Sequence, residues 1–202
     1  MLSSSSEDTT GVDVASGALI RLRFPWSEGC GTDLHPFNVI DASLAEDPEA
    51  DDLAQPEAAT ASGEPTSLGN LRGRRAAKIL SRLAVEHDGP LLGFKGPSAP
   101  YWDFRGARPS VALLEVAAHS QLIRRPTPHA SCVRFRWGRD DAWIPVEDRH
   151  AVHALEASGE VQLSGKPLAA ALGYTPHYLL VAVSRPRGGH CYKVCTAILP
   201  RS

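Results

Sequence analysis

Residues 91–104, LLGFKGPSAPYWDF, and residues 132–145, CVRFRWGRDDAWIP, decide how the fold is read, because they match at a constant offset. Trp102 and Trp143 lie 41 positions apart. At the same offset Phe94 meets Phe135, Val111 meets Val152, Leu114-Glu115 meets Leu155-Glu156, and Gln121-Leu122 meets Gln162-Leu163. A fixed period across aromatic and Leu-Glu positions is the mark of a supersecondary unit written twice. Each copy, over 90–123 and 131–164, reads as two strands around a turn, a helix carrying Leu-Glu, and a short strand at Gln-Leu. Trp102 and Trp143 are then expected at equivalent buried positions. Repetition multiplies surface and points to binding more than to catalysis.

The chain has 202 residues, of which 43% are hydrophobic and 22% charged, values ordinary for a soluble globular protein. No run approaches the roughly 18 to 20 apolar residues of a membrane span. The first residues are acidic and polar where a secretory leader is basic and then apolar, so no membrane partner and a cytoplasmic address are the expectations. Cys30, Cys132, Cys191 and Cys195 are too few and too scattered for a disulfide scaffold, and are read as reduced. The net charge of −2 hides segregation: positions 41 to 64 hold eight acidic residues and no Lys or Arg. The remainder is mildly basic, which suits phosphate-bearing ligands. The acidic stretch would shield that basic face, which makes nucleic acid an unlikely partner.

Residues 1–16 lack apolar periodicity and read as a disordered tail. In 17–41, GALIRLRFPW alternates as a half-buried strand and PFNVIDASL follows as a second, so the segment reads as a β-hairpin. Residues 42–70 read as an acidic flexible linker and mark the main boundary. From 71 to 202 an α+β domain is expected. It opens with a basic amphipathic helix whose apolar face is Ala76, Ile79, Leu80 and Leu83. It closes with a hairpin made of HYLLVAV, the turn SRPRGG and HCYKVCTAIL.

The order of residues from Val133 to Ile198 resembles the WWE domain, a small half-barrel of strands wrapped against one helix. The residues that carry the resemblance are Phe135 and Trp137, Trp143 with Pro145, Leu155-Glu156-Ala157, Val161-Gln162-Leu163, and the strands over 178–183 and 191–198. Glu156 would supply the family's signature glutamate. Many members bind the iso-ADP-ribose unit of poly(ADP-ribose) and others act as adaptors, so the resemblance implies a half-barrel-like C-terminal domain and an ADP-ribose-type ligand or a protein partner. Lys193 stands alone where the family carries a run of arginines.

The strongest candidate site is the group Tyr174, Tyr178, Arg185, Arg187 and Lys193. Aromatic rings stack on planar bases while Arg and Lys meet phosphate. The alternative is a cysteine-dependent hydrolase in which Cys30, within Glu28-Gly29-Cys30-Gly31-Thr32, is activated by His177. No Asn, Asp or Gln follows His177 to orient it. His190, Cys191 and Cys195 have the donor types of a zinc site. Residues four apart on a strand lie roughly 13 Å from each other, too far for one tetrahedral ion, so no metal and no cofactor are expected. The fold expectation is α+β, with antiparallel hairpins each packed with a helix and two related strand-strand-helix units. The functional expectation is a non-catalytic interaction module.

Overall fold

Val111-Ala112-Leu113-Leu114 is a run of four buried residues with no polar member, the pattern of a strand covered on both faces. In the computed structural model, which describes residues 1–4, 9–24, 34–46, 52–86, 89–104, 108–115, 119–127 and 130–201, that run lies within the strand Val111–Glu115 (β9). It belongs to a five-stranded sheet with Ala84–Val85 (β7), Ser98–Pro100 (β8), Pro176–Val183 (β14) and His190–Pro200 (β15), in the order β7-β9-β14-β15-β8. β14 is antiparallel to both neighbours, pairing Leu179 with Leu114 and with Ile198. Leu180 faces Ala197 while Val181 faces Cys195, so Thr196 has no partner across the ladder and forms a bulge. The alternation of side chains along β15 changes phase there. Cys191 and Cys195 point to the same face as Ile198, and Val194 to the same face as Ala197 and Leu199.

The first face of this sheet is sealed by a second sheet and two helices. Gln121–Arg124 (β10), Ser131–Trp137 (β11), Asp140–Pro145 (β12) and Gln162–Ser164 (β13) are ordered β12-β11-β10-β13, all antiparallel. Leu122, Phe135, Ile144, Leu155, Leu168 and Leu179 join one core between the two sheets. Arg149–Ser158 (α2) begins where Asp148 accepts from the His150 and Ala151 amides and ends at Gly159 in the left-handed region, two strong boundary signals. Gly165–Leu172 (α3) packs Leu168 and Leu172 into the same core. The sheets meet where Val146 bridges Cys195 and the Glu147 amide donates to the Cys195 carbonyl at 2.8 Å.

The second face is covered by N-terminal elements. Ser3–Ser4 (β1), Thr9–Val12 (β2), Leu19–Arg23 (β3) and Ala58–Thr60 (β5) form a sheet in the order β1-β2-β3-β5. Asn38–Asp41 (β4) and Thr66–Asn70 (β6) form a two-stranded ribbon. Gly73–Leu83 (α1) inserts Ala76 and Leu80 beneath them. Polar bonds tie this cover down: the Arg21 guanidinium donates to the Val183 carbonyl at 2.6 Å, the Gln55 amide to the same oxygen at 3.1 Å, and Ser110 donates through its amide and hydroxyl to Glu57.

Several expectations are corrected. Trp102 lies in a 3-10 turn over Tyr101–Asp103 and Trp143 in β12, both exposed; Leu114-Glu115 is in a strand and Leu155-Glu156 in a helix. The two stretches are therefore not one unit repeated. The second has a cap at each end of its helix. The first has a wholly buried apolar run, and Ser110 just before it is bonded through its amide and hydroxyl to Glu57. Thr9 and Thr10 are buried in β2, and Leu2 is buried just before β1, rather than in a tail without structure. The expected hairpin over 17–41 does not form: β3 pairs with β2 across a turn in which Asp13 accepts from the Ala15 and Ser16 amides, and β4 pairs with β6. The segment read as an acidic linker contains β5 and β6 and buries Ala54 and Gln55, because its carboxylates and amide meet Arg23, Ser110 and Val183. Among the described residues none of the sheets closes into a barrel.

Candidate functional site at the tip of the long hairpin

The β14–β15 hairpin turns through Gly188 and Gly189, with φ of 58° and 79°. Positive φ at both central residues is the primed turn that matches strand twist, and it requires residues without a side-chain penalty. The Arg187 amide donates to the His190 carbonyl at 2.8 Å and the His190 amide returns to Arg187 at 3.2 Å, closing the turn. β8 then pairs His190 with Pro100 and Tyr192 with Ser98. The Tyr101 amide donates to the Gly189 carbonyl at 2.9 Å, which fixes the 3-10 turn against the hairpin tip.

That turn lays the Trp102 indole beside Gly189, where a Cβ would sit 3.7 Å from the ring. The indole and the His190 imidazole have centroids 6.4 Å apart at 60°, an edge-on pair. Trp102 nevertheless remains 59% exposed. Arg185 and Arg187 leave the same tip into solvent, Arg187 reaching Glu147 at 3.2 Å. Two rings set at an angle on a turn that also carries Arg185 and Arg187 offer the groups that stack a planar ring and bind an anion.

The five residues expected to share one site do not. Tyr174 is half-buried, stacks on His150 and donates its hydroxyl to the Ile198 carbonyl at 2.5 Å; burial raises its pKa well above the usual phenol range. Tyr178 is only 3% exposed and faces the α1 side of the sheet. Lys193 is 5% exposed, with its ammonium donating to the carbonyls of Phe94 at 2.7 Å and Gly96 at 2.8 Å and lying 4.1 Å from the Phe94 ring centroid. Burial pushes its pKa down to about 8. Tyr174 and Tyr178 sit at the open end of the hairpin, roughly 20 Å by strand rise from the tip that carries the two arginines. Only Arg185 and Arg187 remain together. Trp102 and His190 join them: the 41-residue offset assigns Trp102 to the core, and His190 reads in the sequence only as a metal donor.

Cys30, the alternative nucleophile, lies outside the described residues. His177 is on β14 with its Nε2 3.0 Å from the Glu115 carboxylate. Cys132, Cys191 and Cys195 are buried, and burial pushes the Cys191 thiol up to about 11. Such thiols are poor nucleophiles at neutral pH. Among the described residues no group of three His, Cys, Asp or Glu side chains could hold a metal ion, and no helix is long and apolar enough to cross a membrane. Comparison with known proteins finds no matching family model, no matching curated protein and no matching solved structure.

Proposed function

We propose that this chain is a non-catalytic binding module whose site is the tip of the β14–β15 hairpin, and that its ligand is planar and phosphate-bearing, of the ADP-ribose type. The observation that carries this reading is the exposed Trp102 indole, held against His190 and Gly189 next to Arg185 and Arg187. An indole this exposed gives up burial worth about 2 kcal/mol, a cost that a stacking partner would recover. The likeness of 133–198 to the WWE domain supports the same class of ligand, and Arg185 and Arg187 belong to both lines of reasoning.

Calorimetric titration with ADP-ribose, iso-ADP-ribose and poly(ADP-ribose) tests it. Trp102→Ala is expected to weaken binding by about 1 to 3 kcal/mol, the usual worth of one stacked base. Arg185→Ala should cost about 1.5 to 3 kcal/mol, and affinity should fall with added salt. Absence of heat with all three ligands removes the nucleotide reading and leaves an adaptor that takes a protein partner at the same Trp and Arg side chains.

A further inference from the structure

Arg74, Arg75, Lys78 and Arg82 share one side of α1. At roughly 100° per residue they fall within an arc of about 100°, while Ala76, Ile79, Leu80 and Leu83 take the side turned toward the rest of the molecule. Burial agrees: Ala76 and Leu80 are buried, and the exposed residues of the helix are Gly73, Arg74, Arg75, Lys78, Ser81 and Arg82. Arg74, Lys78 and Arg82 stand four apart in turn, which makes a straight row about 12 Å long.

The row works against the helix that carries it. Like charges one turn apart repel, and Arg74 and Arg75 stand in a first turn with no acidic residue, at the end where the helix dipole favours anions. Among the described residues none of the four side chains meets a carboxylate. The acidic stretch expected to shield the basic surface spends Asp52 on Arg23 and Glu57 on Ser110. Arg82 also borders the apolar groove that Asp13 and Asp41 line, so the row is most purely cationic at Arg74, Arg75 and Lys78. The surroundings of the row select its partner. No exposed residue of α1 is apolar, so the helix has nothing to insert into a bilayer. None is aromatic, so it offers no ring on which an unpaired base could stack. A line of cationic groups about 6 Å apart on a helix held by its buried side suits a stiff polymer with regularly spaced phosphates.

We infer that this face of α1 binds the phosphate backbone of double-stranded nucleic acid without reading its sequence. The site is separate from the hairpin tip, and either can fail without the other. The test is fluorescence anisotropy of labelled DNA duplexes titrated with the full chain between about 50 and 200 mM salt. Two duplexes of unrelated sequence should bind alike, and log affinity should fall against log salt with a slope of about −3, the value for three to four phosphates. Arg74→Glu with Lys78→Glu, both on the solvated side of the helix, should weaken binding by about tenfold or more and flatten the slope by about 2. That pair should leave circular dichroism and the ADP-ribose titration at the hairpin tip as they are. Lys78→Gln alone, which reverses no charge, should flatten the slope by about 1. The same change in net charge made by Arg139→Glu with Lys166→Glu, exposed on other elements, should weaken binding by less than about twofold. Equal losses from the two double variants would overturn the inference, as would preference for one duplex sequence. Tighter binding to a single strand, to phosphatidylglycerol vesicles or to polyglutamate would overturn it too, and so would no binding at the lowest salt.

Discussion

The two faces of the central sheet are covered by different means. One is sealed by a four-stranded sheet and two helices around a continuous apolar core, with polar bonds such as Glu147 to Cys195 and Tyr174 to Ile198 at its margin. The other is roofed by α1 and short N-terminal strands that leave a groove and are held by the side chains of Arg21, Gln55 and Glu57 bonded across the junction. An apolar seal follows from area removed from water and tolerates small shifts. A polar tie works only at bonding distance, so the second cover should behave as a unit that is lost together.

The largest expected effect lies on the sealed face. Leu155→Ala, at a wholly buried position in α2, should cost about 2 to 5 kcal/mol, and Leu80→Ala, beside the groove, should lie at the low end of that range because its surroundings can relax. Urea midpoints measure both, and equal losses would break the contrast between the faces. Next in size is Lys193, whose ammonium abuts Phe94 of the sealed core. Its folded pKa of about 8 lies below the ordinary 10.5, so the unfolded chain binds the extra proton between those values. Stability should therefore rise with pH from 8 to 10.5, relative to Lys193→Met, by up to about 3 kcal/mol and stay flat below. A falling difference over that window would show that the ammonium is not desolvated.

Arg21→Met removes a charge-assisted bond from the roof and should cost about 1 to 3 kcal/mol. Its sharper signature is local: amide exchange should quicken in β2 and β3 while α2 and α3 keep their protection. Uniform loss of protection would mean that the two covers unfold as one. The smallest effect belongs to Trp143, on the outer side of β12 with the Arg134 guanidinium 5.3 Å from its ring centroid. Trp143→Ala should change stability by less than about 1 kcal/mol, since exposed cation–π contacts contribute little.

Elements whose signals are local were legible from the sequence. The α1 apolar spacing, the Gly-Gly hairpin and the two strands around Gly138 all carry their cause within a few residues. The roof was not legible, because Arg21 and Gln55 become buried only through Val183, more than a hundred positions away, and composition alone reads such polar residues as solvated. Leu-Glu at 114–115 and at 155–156 shows the same lesson at shorter range: identical dipeptides follow the caps or the buried apolar run around them. At the candidate site the arginines were visible in the turn, whereas Trp102 reached them only through the pairing of β8 with β15.

The bulge at Thr196 gives β15 two reading frames. Its hydroxyl bonds to the Leu180 carbonyl and accepts from Ser3 of β1, so the frame change is anchored to the roof as well as to its neighbour strand. Straightening the bulge with Thr196 kept in the ladder would act as a frameshift in space: Ala197 and Leu199 would be delivered to the sealed core and Ile198 to the roof. A deletion at 196 would leave Ala197 directly after Cys195 in the ladder and keep every face as it is, whereas one residue inserted beside it would turn the end of the strand inside out.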